Sequence, residues 1–331
     1  VTSTATVTAP ATGSAVDPVI ATHGLTKHYG SVRAVNDLDL AVPRGSVFGF
    51  LGPNGSGKTT TIRMLLALVR PTKGEARILG EPVRPEAAVL DAVGALVERP
   101  AFYPFLSAYE NLGVFAAARG VSTSTSPALC RAALERVGLA DVAARKVGGF
   151  STGMRQRLGI GLALLDAPPV IILDEPTSGL DPEGTVDVRN VITALAHDHT
   201  TVFLSTHLLN EAEQVCTQLA VIAKGRIVTQ GSTSDLFATR EHLVVRFTTP
   251  AERDTAMGVL RAGGMTVRQT DVAGMEIDGQ PDGRETIQQL AGAGIYPAEV
   301  ALRRPSLEKI YLELTDEVPA SEEPAAPEAT S

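Results

Sequence analysis

The chain has 331 residues, of which 44% are hydrophobic and 20% charged. That is room for one large domain or two smaller ones, with the ordinary balance of a globular protein. A formal net charge of −8 leaves no basic, nucleic-acid-like footprint over the whole chain. The most apolar stretch, residues 158–173, is broken by Asp166, Pro168 and Pro169, so no membrane span is expected.

Residues 1–16 are rich in Thr, Ala and Ser, lack Lys and Arg, and carry almost no apolar period. They are expected to be a disordered tail, not a secretory signal. Residues 47–51 form a short apolar run ending in glycines, which predicts a buried strand, and residues 59–69 then have helical spacing. Residues 101–105 hold Phe102, Tyr103 and Phe105, in a chain with nine Phe, five Tyr and no Trp. Such a loop is either core packing or a docking surface. Ser107 and Glu110 have capping-box spacing, and residues 107–165 read as mainly helical.

Residues 169–173 and 201–205 are two further buried-strand runs, the second leading into a helical pattern over 207–215. Strands followed by helices predict a mostly parallel sheet with helices packed on it. After Arg240 the rhythm changes. Strands are expected at 242–247, 265–270, 275–277 and 296–302, and helices at 251–262 and 283–293. That is the βαββαβ order of a small α+β domain, closed by a last helix over 306–314. Residues 317–331, rich in Pro, Glu, Ala and Ser, are expected to be a disordered acidic tail. The expected division is therefore 1–16, 17–240, 241–316 and 317–331. Cys130 and Cys216 have no metal or redox spacing, which suits a reduced cytosolic setting.

Gly52, Pro53, Asn54, Gly55, Ser56, Gly57, Lys58 and Thr59 fit the phosphate-loop pattern, a glycine and four residues before Gly-Lys-Thr. Glycines let backbone N–H groups turn inward as a nest for phosphate oxygens, and the helix that follows adds its partial positive charge. Lys58 would reach the β- and γ-phosphates of a nucleoside triphosphate, read as ATP. Thr59 would offer its hydroxyl to Mg²⁺. The run 170–173 delivers Asp174 and Glu175 at a strand's C-terminal end, where α/β sheets bind ligands. Asp174 would hold Mg²⁺ through its water shell, and Glu175 would polarise the attacking water.

Between these motifs lies Phe150-Ser151-Thr152-Gly153-Met154-Arg155-Gln156-Arg157. With it the chain resembles the ATP-binding subunits of ABC transporters, whose signature is usually Leu-Ser-Gly-Gly-Gln. Phe150, Thr152 and Met154 depart from that signature, while Ser151 and Gly153 keep it. The variant form is similar to the branch that exports drugs, bacteriocins and antibiotic peptides.

The resemblance implies an α/β P-loop NTPase of ABC type with a helical signature subdomain. It carries over Tyr29 as the aromatic stacking on adenine, Thr60 as the continuation of the phosphate loop, and Asp181 as the D-loop residue facing a partner subunit. It also carries over His207 as the γ-phosphate contact and catalytic helper. Glu98 stands where the family usually has Gln, either touching Mg²⁺ or paired with Arg99 or another base. Two copies would pair head to tail, Ser151 and Gly153 of one approaching the phosphate loop of the other. A separate permease would hold them on the inner face of the membrane, and no nucleic-acid partner is implied.

Overall fold

Two β-hairpin strands open the computed structural model, which describes residues 17–98, 101–238, 242–277 and 283–303. Strands β1 (Ile20–Tyr29) and β2 (Val32–Val42) pair antiparallel. After β3 (Val47–Leu51) and α1 (Lys58–Leu65), strands β4 (Lys73–Ile78) and β5 (Glu81–Pro82) complete a sheet in the order β2-β1-β4-β5. This antiparallel layer was not among the predicted elements. Its strands alternate imperfectly because the β1–β2 and β1–β4 registers slip several times, which blurs the period-two signal.

The helix expected over 59–69 ends at Leu65. Ala67 turns to φ 55°, and the N–H groups of Leu68 and Val69 both return to the Arg63 carbonyl. Pro71 follows, and a proline disfavours helical backbone just before it.

Then come β6 (Val93–Leu96), α2 (Ala108–Ala118), α3 (Ser126–Arg136), α4 (Thr152–Ala163), β7 (Val170–Asp174), α5 (Pro182–His197) and β8 (Thr201–Thr206). The helical reading of 107–165 thus resolves into α2, α3 and α4. Each of α2, α4 and α5 starts where a short polar side chain can take an orphan N–H. Ser107 and Glu110 form the full capping box of α2. The Ser107 N–H, then its hydroxyl, hold the Glu110 carboxyl below the usual carboxylate range. Ser151 Oγ accepts from Met154 N at 3.1 Å, and Asp181 Oδ1 accepts from Gly184 N at 3.1 Å.

Strands β6, β7 and β8 are parallel, with Leu96 opposite Leu173 and Asp174 opposite Ser205. Val170, Ile171 and Ile172 are fully buried, as a parallel strand covered on both faces requires. The Phe48 and Phe203 rings stack at 5.7 Å.

The described chain divides into two compact units. One runs through Phe48 and takes in Gly57–Ser205; the other joins Gly49–Ser56 to the residues from Thr206 onward. In the second unit α6 (Leu209–Val215) precedes the antiparallel pair β9 (Gln218–Ala223) and β10 (Arg226–Ser232), followed by α7 (Thr233–Ala238). Gly49 backs onto Cys216, where a Cβ would lie 2.7 Å from the sulfur. Burial pushes the Cys216 thiol up to about 12. Both cysteines are buried and free.

The same unit ends with β11 (His242–Arg246), α8 (Pro250–Ala262), β12 (Val267–Gln269), β13 (Gly274–Ile277), α9 (Gly283–Gly292) and β14 (Glu299–Arg303). These form an antiparallel sheet in the order β12-β13-β11-β14. Thr249 and Glu252 make a second capping box, with Pro250 in the first turn of α8. Leu243, Val245, Ala256, Leu260, Met275, Ile277 and Leu290 form a core of their own. The last strand starts later than expected: Tyr296 lies before it and is 75% exposed. The helix expected over 306–314 and both tails lie outside the described residues.

Candidate functional site

Lys58 and Thr59 open α1, and the preceding Gly57 has φ 109°, a conformation that L side chains rarely adopt. Lys58 is only 4% exposed, and its Nζ lies 3.4 Å from Glu175 Oε1. A buried ammonium needs such an opposite charge.

Asp174 closes β7 and Glu175 follows it at φ 46°. Left-handed backbone at a non-glycine residue costs of order 1–3 kcal/mol and persists only where the surroundings enforce it. Ser205 supplies part of that enforcement. Its Oγ donates to Asp174 Oδ1 at 2.5 Å and accepts from the Glu175 N–H at 3.0 Å. Ser205 is fully buried. It was not among the residues picked from sequence, because only the β7–β8 register sets it opposite Asp174.

Thr59, Glu98, Thr152, Arg155, Gln156, Asp174, Glu175 and Ser178 line one cavity of about 490 Å³. Two of the sequence-picked metal ligands, Thr59 and Asp174, therefore share a space with the candidate base. These are hard oxygen donors, the set that suits Mg²⁺ shared with phosphate oxygens. Glu98, the third pick, lines the same cavity and is ion-paired with Arg63. Arg99, the partner weighed from sequence, lies outside the described residues.

Ser151 and Gly153 sit at the start of α4. Ser151 Oγ is engaged as the cap, and a Cβ on Gly153 would come within 3.2 Å of Gly184 Cα. Gly153 therefore lets α4 approach α5 closely. Asp181 is likewise engaged as the cap of α5. Tyr29 ends β1, is 47% exposed, and has Lys27 Nζ 5.1 Å from its ring centre. The exposed ring offers a face for stacking. Thr60 follows Thr59 in the first turn of α1 and is half-buried.

In the second unit, Gly52–Ser56 folds as a tight cradle against β9. The Gly52 N–H donates to the Thr206 carbonyl at 3.3 Å, Ser56 N–H to Pro53 O at 3.2 Å, and Gly225 N–H to Ser56 O at 3.0 Å. A Cβ on Gly52 would lie 2.3 Å from the Ile222 carbonyl oxygen and 2.6 Å from Ser56 Oγ. Ser56 Oγ is buried and has no hydrogen-bond partner among the described residues. An orphaned buried hydroxyl beside a glycine with no room for a side chain fits a ligand rich in acceptors, such as phosphate. Pro53, Asn54 and Gly55 are exposed, with Gly55 at φ 80°. His207 precedes α6, where Thr206 Oγ1 accepts from the Leu208 N–H at 3.0 Å. His207 lines a smaller cavity, of about 390 Å³, with Leu208, Asn210 and Glu211.

A family profile described as ABC transporter matches residues 35–178. The bacitracin transport ATP-binding protein of Bacillus licheniformis is 44% identical over 212 residues, 63% of this chain and 68% of that one. The daunorubicin resistance ATP-binding protein DrrA3 of Streptomyces coeruleorubidus is 36% identical over 305 residues, 90% of this chain and 96% of that one. Among solved structures, an ATP-binding subunit of an ABC transporter superposes with a TM-score of 0.58 at 28% identity, covering 66% of this chain and 92% of that one.

Proposed function

This chain belongs to the ATP-binding subunits of ABC transporters; it is the ATPase of an exporter, and we propose that its cargo is a drug, an antibiotic peptide or a lipid moved through a separate permease. The cargo reading rests on the bacitracin and daunorubicin relatives. The observation that carries the residue assignment is the sharing of one cavity by Thr59, Asp174 and Glu175, with Lys58 ion-paired to Glu175.

In the proposed mechanism Gly52–Thr60 enclose the triphosphate, Lys58 meets the β- and γ-phosphates, and Tyr29 stacks on the adenine. Thr59 and Asp174 would hold Mg²⁺, which when bound draws off phosphate charge. Glu175 accepts a proton from the attacking water as the bond to the γ-phosphorus forms, and ADP leaves with the electron pair of the breaking bond. His207 supports the γ-phosphate. Ser151, Gly153 and Asp181 face a second copy in a head-to-tail dimer, and the permease holds the pair on the inner face of the membrane. Substituting Lys58→Ala should lower ATP affinity by at least tenfold and abolish Mg²⁺-dependent hydrolysis. Full turnover in that variant, measured by phosphate release, would contradict the assignment.

Residues 241–316 are proposed as an accessory domain that tunes coupling or dimer contacts, since their described part has a sheet and core of its own. The daunorubicin relative matches this chain over 305 residues, more than the 17–240 segment contains. A chain ending at residue 240 should still bind ATP, with transport of cargo reduced when it is paired with its permease. Undiminished transport would remove the coupling role.

A further inference from the structure

We propose that Arg63 is a positioning residue for this ATPase. It holds Glu98 and cancels its charge, so that a carboxylate can stand in the nucleotide cavity without repelling the phosphates. The inference rests on the reading of that cavity as the Mg·ATP site.

Thr59 and Arg63 both belong to α1, one turn apart, and so lie on one face of the helix. The helix that presents Thr59 to the cavity thus carries, in its last turn, the cation that meets Glu98. Arg63 sits where the negative end of the helix dipole favours a positive charge. Glu98 lies just beyond β6 at φ 64°, left-handed backbone in a non-glycine residue. Such a conformation needs support from its surroundings, and the Arg63 ion pair is a side-chain contact that supplies some.

Charge shows why the pair matters. Glu98, Asp174 and Glu175 all line the cavity, with Arg155 as the one cationic side chain among the described lining residues. A third carboxylate left unpaired would face the phosphates as a like charge, which disfavours the bound anion. Paired with Arg63 it adds little net charge. Both partners remain substantially solvent-exposed, 40% and 66% at the side chains, so the expected effect is modest.

The test is a double-mutant cycle read by equilibrium binding of trinitrophenyl-ATP in the full chain, in EDTA and in Mg²⁺, with thermal melts to confirm folding. In EDTA, R63M should weaken binding by about fivefold, the upper end for an exposed ion pair. E98Q alone should change it little, and R63M with E98Q should return to the wild-type value. R63K should bind like wild type. In Mg²⁺ the R63M deficit should shrink, because the freed carboxylate can then face a cation. Equal losses from R63M in the wild-type and E98Q backgrounds would overturn the proposal, since a merely structural Arg63 gives additive effects. Failure of the underlying reading looks different: Lys58→Ala would then bind the analogue as tightly as wild type.

Discussion

Glu175→Gln should cut ATP turnover by roughly 10²- to 10⁴-fold, the range for loss of a general base, while Mg·ATP binding survives. The side chain keeps its size and shape, so its position beyond β7, with the N–H on Ser205 Oγ, is retained. What it loses is the ability to take a proton. The change also removes the carboxylate that lies 3.4 Å from Lys58 Nζ. A neutral amide in its place leaves one negative charge fewer beside the phosphates. ATP affinity should therefore equal or exceed that of wild type. A long-lived ATP-bound dimer should accumulate, visible by size-exclusion chromatography with Mg·ATP. Single-turnover hydrolysis at the wild-type rate would remove Glu175 from the role of base.

Gly52→Ala should cripple nucleotide binding through a single methyl group. The added Cβ would meet the Ile222 carbonyl oxygen at 2.3 Å and Ser56 Oγ at 2.6 Å. A carbonyl in a strand cannot swing aside as a flexible side chain can, so either the loop or β9 must shift. Overpacking of this kind costs about 1–3 kcal/mol. It also displaces the N–H that donates to the Thr206 carbonyl. ATP affinity is expected to fall by more than tenfold, with a drop in melting temperature. Gly55→Ala is the control: its Cβ would meet nothing within 4 Å, and only its φ of 80° opposes the change. It should cost about 1 kcal/mol and spare most of the affinity. Equal binding losses at the two positions would remove crowding against β9 as the reason for glycine at Gly52.

The chemistry-bearing segments were legible in the sequence because each is local. Gly52 to Thr59 is one turn between a strand and a helix, and its residue types are those that let N–H groups come close to a phosphate. Asp174 and Glu175 follow a run apolar enough to be a buried strand on any reading. The strands and helices after His242 were legible too, since two hydrophobic periods alternate there. Their ends moved by a few residues, as with β14, because the last paired residue depends on the neighbouring strand. Strands β1, β2 and β4 were passed over because their pairing slips register.

By itself, then, the sequence determined the phosphate loop, the acidic strand end, the signature segment and the alternation of strands and helices. Tertiary structure alone decided which side chains meet. Ser205 reaches Asp174 and Glu175 across two strands, 31 and 30 residues away. Arg63 reaches Glu98 across 35 residues, where sequence offered Arg99 or another base. The physical reason is the same in each case. A motif encodes what a stretch of backbone can do with its own neighbours, whereas a salt bridge or a buried hydroxyl between strands depends on the register and packing of elements far apart in the chain.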